Sequence, residues 1–142
     1  MSETDLIKLY SDRILALAAD IPHLGRLQGA DASATKRSPL CGSTVTVDLK
    51  LDHGRVADFA QDVKACALGQ ASAAIAGAAI IGCTKDQVFA ARDALKAMLQ
   101  GGDPPSAPFD GYEVLTAARD FKNRHASILL TLDAACDAFA KA

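Results

Sequence analysis

The chain has 142 residues, half of them hydrophobic and 23% charged, which fits one domain with one core and excludes a disordered or highly solvated chain. Fifteen basic residues against seventeen acidic ones leave a formal charge of −2, so composition offers no electrostatic footprint for nucleic acid or for an anionic membrane. Aromatics make up 5% and Trp is absent, which leaves few platforms for stacked bases.

Residues 6–18 read as an amphipathic helix, with Leu6, Tyr10, Ile14 and Leu17 near the helical period. Pro22 and Gly25 end it. Residues 28–40 are small and polar and are expected to form a mobile loop. The period then changes to two: Val45, Val47, Leu49 and Leu51 alternate with Thr44, Thr46, Asp48 and Lys50, the pattern of a half-buried strand. Asp52-His53-Gly54 is a turn signal, and residues 56–63 return as a second strand.

Residues 65–84 carry no charge and are long enough to cross a bilayer. They are mostly Ala, with Leu68, Ile75, Ile80 and Ile81 as the strong apolar residues, so a buried helix is expected instead. Thr84 with Gln87 three residues on is a capping-box signature for a further helix, whose buried face would be Val88, Ala91, Leu95 and Met98. Residues 101–105 break that helix, and helical segments follow at 112–118 and 123–139, the last burying Ile128, Leu132, Ala135, Cys136 and Phe139. The expected fold is a single α+β domain over residues 1–142, a small hairpin-based antiparallel sheet with helices on one face. With a polar, acidic start and no visible signal peptide, the expected compartment is the cytoplasm.

Four cysteines, Cys41, Cys66, Cys83 and Cys136, form no C-x-x-C pair, so each is judged singly in a reducing compartment. A two-residue loop at His53-Gly54 sets Asp52 opposite Arg55 and, counted outward, Cys41 opposite Cys66. The side-chain pattern prefers a register one residue over, pairing Val45 with Val63, Leu49 with Phe59 and Leu51 with Ala57. Either register leaves Cys41 and Cys66 within one residue of facing each other at the open end of the hairpin. Strand partners lie about 5 Å apart, close enough for both sulfurs to reach one ion at about 2.3 Å. Gly42 lets backbone amides approach a bound group, and Cys66 opens the Ala-rich helix, where the dipole favours negative charge. Cys83 stands about 25 Å further along a continuous helix and Cys136 lies on an apolar face, so both are expected to be core filler. His53 in the hairpin turn is expected to be solvated, His23 follows a proline in a loop, and His125 at the start of the last helix is a candidate third ligand.

At these residues the chain resembles the iron–sulfur cluster assembly scaffold family, the NifU N-terminal, IscU and SufU group, over most of its length. Ile21-Pro22-His23-Leu24-Gly25-Arg26-Leu27 resembles the family's Asn-Pro-Arg-Asn-Phe-Gly segment, and Pro39-Leu40-Cys41-Gly42-Ser43 its Pro-x-Cys-Gly-Asp motif. Cys66-Ala67-Leu68-Gly69-Gln70-Ala71-Ser72 resembles its second-cysteine motif, and Arg124-His125-Ala126-Ser127-Ile128-Leu129 its His-Cys-Ser-Ile-Leu segment. The resemblance implies a SufE/NifU-like fold and a site that carries a transient [2Fe–2S] cluster, or zinc, on Cys41, Cys66 and His125. Ser43 stands where the family has an aspartate ligand and Ala126 where it has a third cysteine. The resemblance implies a cysteine desulfurase as sulfur donor and apo iron–sulfur proteins as acceptors. The family's Leu-Pro-Pro-Val-Lys chaperone-docking segment is absent, residues 118–122 standing near its place, so that chaperone is not expected as a partner.

Two thiolates and one imidazole fall short of the four ligands a cluster usually takes, so Ser43, solvent, a small thiol or a second copy of the chain is expected to complete the shell. On this reading the metal is cargo and the chain is not an enzyme. The main alternative is a zinc-bound, assembly-inactive module that docks on or regulates the sulfur-mobilisation machinery. A catalytic zinc centre, with Asp62 or Lys64 as candidate base, and a plain structural domain without metal are the remaining readings.

Overall fold

A computed structural model describes residues 10–40 and 42–142. In chain order these form α1 (Asp12–Ala19), β1 (Ala32–Arg37), β2 (Thr44–Asp52), β3 (Arg55–Lys64), α2 (Ala67–Ala79), α3 (Lys85–Leu99), two 3-10 segments (Asp110–Ala118 and Lys122–Arg124) and α4 (His125–Lys141). The three strands make one antiparallel sheet in the order β1-β2-β3, and the helices cover one face: the α+β architecture read from the sequence.

The hairpin turns on His53 and Gly54, both at positive φ (51° and 77°), the type I′ geometry that matches strand twist. Both registers read from the sequence occur. Asp52 pairs with Arg55 and Leu51 with Val56, then an irregularity between Lys50 and Leu51 shifts the ladder by one, so that Leu49 meets Phe59, Val45 meets Val63 and Thr44 meets Lys64. Leu51 therefore faces Val56 rather than Ala57. The shift lets a tight two-residue turn coexist with the hydrophobic alternation: Val45, Val47, Leu49 and Phe59 are all within 1% of complete burial.

The segment expected to be a loop at residues 28–40 contains strand β1, paired with β2 from Ala32↔Leu49 to Arg37↔Thr44. Its inward residues are Ala32 and Ala34, and alanine against serine and threonine gives little hydrophobic contrast for a pattern to show. It is a strand because β2 offers a free edge and α4 packs over it.

The Ala-rich run folds as α2 and is buried from Leu68 to Gly77 except at the half-buried Gln70, as expected for a helix apolar nearly all round inside a protein. Among the described residues no helix is long and apolar enough to cross a membrane. Thr84 and Gln87 form the expected capping box on α3, and Val88, Ala91, Leu95 and Met98 face the core. The expected helix at 112–118 is a 3-10 segment, and α4 begins at His125 with the expected residues buried. Helix α1 starts at Asp12; the expectation that a helix runs from Leu6 reaches residues outside the described ones.

Residues 22–27 tie the other face and edge of the sheet together. Gly25 N–H donates to Gln61 O, Gln61 N–H donates to His23 O, and the His23 ring stands edge-on to Phe59 with centroids 6.1 Å apart. The chain then reaches Asp48, which points away from the helices and is nonetheless 1% exposed. Its carboxylate accepts from Arg26 Nε at 2.7 Å, Arg26 Nη2 at 3.0 Å, the Leu27 N–H at 2.9 Å and the Ser33 hydroxyl.

Candidate metal centre

The sheet ends at Thr44 and Lys64, and two residues beyond it Cys66 is the N-cap of α2 with no side-chain capping bond. Its thiol is therefore not spent on the helix. Cys66 Sγ lies 3.4 Å from Ser127 Oγ, and Ser127 donates to Ser43 Oγ at 3.2 Å. Three elements thus meet at the open end of the hairpin: the residue before β2, the residue opening α2 and the first turn of α4. Ser127 and Ser43 are buried, Cys66 half-buried.

Cys41 lies outside the described residues. The chain on either side of it is anchored: Ser38 N–H donates to Ser43 O at 2.8 Å and Gly42 N–H to Ser38 O at 2.9 Å, with Gly42 at φ +70°, a conformation glycine adopts without penalty. The β1–β2 connection is therefore held at the same end of the sheet as Cys66.

His125 opens α4. Its Nε2 lies 2.9 Å from the Ala118 carbonyl oxygen, and the ring lines a cleft with Leu99, Gln100 and Lys122. The Ser127 hydroxyl links Cys66 to Ser43, while the His125 ring is held at Nε2 by the Ala118 carbonyl. Among the described residues no group of three or more His, Cys, Asp or Glu side chains is placed to hold a metal ion.

The remaining candidates fall as expected. Cys83 and Cys136 are 3% and 1% exposed, and burial pushes both thiols up, that of Cys136 to about 11. The carbonyl of Cys83 accepts from Val56 N–H, beside the hairpin turn and far along the sheet from Cys66. His53 is 92% exposed, its Nδ1 2.7 Å from Asp52 Oδ1.

Ser127 is the site residue that sequence reasoning missed, because a serine in the first turn of an apolar helix carries no pattern that separates a site hydroxyl from an exposed one. Ser72 has a supporting role of the same hidden kind. Fully buried in α2, it donates to the Ile128 carbonyl and lies 2.9 Å from Tyr112 Oη, which donates to Ser72 O at 3.0 Å. This network locks the helix carrying Cys66 against the helix carrying Ser127, and burial drives the Tyr112 phenol well above its ordinary range.

The family model described as the NifU-like N terminal domain matches residues 9–127. A crystal structure of a nitrogen-fixing NifU-like protein (N-terminal) from Brucella abortus is 46% identical, with a TM-score of 0.94 over 96% of both chains. The structure of a putative iron–sulfur cluster assembly scaffold protein for the SUF system from Fervidobacterium islandicum shares the fold, with a TM-score of 0.83 over 94% of this chain and 98% of that one at 20% identity. Among curated relatives, the iron–sulfur cluster assembly scaffold protein IscU of Streptococcus pyogenes is 29% identical over 103 residues, 72% of this chain and 64% of that protein; the match thus spans a little under two thirds of that relative's length. On the family match and the Brucella structure together, this chain belongs to the NifU-like N-terminal domain family.

Proposed function

We propose that this chain is a scaffold or carrier for iron–sulfur clusters that holds a transient [2Fe–2S] cluster, or zinc, between Cys41 and Cys66, with His125 and Ser43 as further ligands. The observation that carries the reading is the meeting of Cys66, Ser127 and Ser43 at the end of the sheet where the β1–β2 connection is anchored, in a chain of this family. Thiolate sulfur suits iron and zinc alike. Coordination by His125 uses Nδ1 or follows release of the Ala118 carbonyl from Nε2.

With Ala126 and Ser43 where thiolate and carboxylate ligands would stand, one chain offers a cluster two sulfurs, and two chains sharing one cluster supply four. A cysteine desulfurase is the proposed sulfur donor and apo iron–sulfur proteins are the proposed acceptors, in a reducing compartment, the cytoplasm, where both thiols stay free. The chain stores and passes on its cargo without turnover chemistry.

Anaerobic reconstitution with iron and sulfide tests the proposal on the wild type and on Cys41→Ser, Cys66→Ser and His125→Ala. Expected are iron and sulfide with a visible charge-transfer spectrum in the wild type, eluting as a dimer, and background levels in both serine variants. His125→Ala should retain less cluster; unchanged loading would remove the imidazole from the ligand set. Stoichiometric zinc without any reconstituted cluster would instead assign the chain to a zinc-bound module that docks on the sulfur machinery.

A further inference from the structure

We propose that Ser127 is a positioning residue for Cys66, its hydroxyl seated in a notch that Gly69 leaves between α2 and α4. The proposal rests on reading Cys66 as a ligand, and it adds the device that aims the sulfur. Ser127 is 1% exposed, and its Oγ stands 3.4 Å from Cys66 Sγ and 3.2 Å from Ser43 Oγ.

That contact requires the two helices to approach more closely than a side chain at position 69 allows. A Cβ on Gly69 would lie 2.5 Å from Ser127 Oγ, 2.8 Å from Ala65 Cβ and 3.3 Å from the Ser127 carbonyl oxygen, too close for any of them to stay in place. Glycine is a poor residue inside a helix. At position 69 it lies within α2 and has no left-handed turn to serve, so the feature that sets it apart is the space it leaves. The space is filled by the hydroxyl that touches Cys66.

A cysteine side chain has one torsion that moves its sulfur, with three staggered wells. A hydrogen-bonding contact with a buried, fixed hydroxyl selects one of them, the well facing Ser127. Without it the sulfur spreads over other wells, and apparent affinity falls in proportion to the competent fraction. Equal population of three wells weakens binding about threefold, and preference for a wrong well about tenfold.

The test pairs two readouts on wild type, Ser127→Ala and Gly69→Ala: χ1 populations of Cys66 from NMR coupling constants in the metal-free protein, and Co2+ affinity from thiolate-to-cobalt charge-transfer absorption. Expected is one dominant rotamer in the wild type and a mixture in Ser127→Ala, with Co2+ affinity about threefold to tenfold weaker. Gly69→Ala should do the same while keeping every hydroxyl; if it fails to fold, Ser127→Ala decides alone. Wild-type rotamer populations and affinity in Ser127→Ala overturn the positioning role. A wild type that takes up no Co2+ overturns the ligand reading of Cys66, and the rotamer data then still decide whether Ser127 holds the thiol.

Discussion

Asp48→Ala is expected to destabilise the fold by about 2–4 kcal/mol, the largest effect of any substitution on the sheet's outer face. The carboxylate is 1% exposed and accepts from Arg26, Leu27 N–H and Ser33. Its loss leaves the Leu27 amide and Ser33 hydroxyl without their acceptor. Arg26, whose side chain is 58% exposed, returns to water, which keeps the cost below that of a fully buried pair. Burial by itself pushes the Asp48 carboxyl up. Hydrogen bonds from Arg26 and Ser33, the Leu27 N–H and the charge of Arg26 outweigh it and hold the group down at about 2, against an ordinary 3.8.

A value depressed on folding gives stability that is present in full above about pH 4 and is lost as pH falls through about 2, worth roughly 2 kcal/mol at neutral pH. Urea denaturation of wild type and Asp48→Ala between pH 7 and pH 2 checks this. The gap between the two proteins should be widest at neutral pH and close in acid. A gap independent of pH would show that Asp48 contributes through packing and not through its charge.

Phe59→Ala is expected to cost more, about 3–5 kcal/mol. Phe59 is 1% exposed on β3, opposite Leu49, and meets the edge of His23. Removing the ring leaves a cavity beside the central strand and takes away the largest side chain that pins the β2–β3 register. Thermal unfolding should fall by roughly 2–4 °C per kcal/mol lost. A drop below about 3 °C would mean the surrounding aliphatic residues collapse into the space.

How much of this was readable before folding depended on contrast and on distance along the chain. The hairpin was legible because two independent signals agreed, the Asp-His-Gly turn and the alternation from Val45 to Leu51. Strand β1 was not, because Ala32 and Ala34 differ little from Ser33 and Thr35 in hydrophobicity, and its partners come from β2 and α4. Alternation placed Asp48 correctly on the face away from the helices but could not reveal its burial, which is due to residues 26 and 27 folding back from 22 and 21 positions earlier. At the site, Cys66 was legible from hairpin counting, and Ser43 only from the resemblance of residues 39–43 to a family motif. The orientation of His125 was not: it is set by the Ala118 carbonyl at the end of a 3-10 segment that periodicity read as an ordinary helix. Ser127 and the notch at Gly69 belong to helix–helix contact, which one-dimensional pattern does not carry.

X-ray absorption at the zinc edge of the zinc-loaded wild type tests most directly whether the sulfurs flanking the hairpin serve one ion. The expected shell contains at least two sulfur neighbours at about 2.3 Å together with lighter nitrogen or oxygen neighbours at about 2.0–2.2 Å, with the sulfur component reduced in both Cys41→Ser and Cys66→Ser. A shell of nitrogen and oxygen alone, or one unchanged by either substitution, would contradict it.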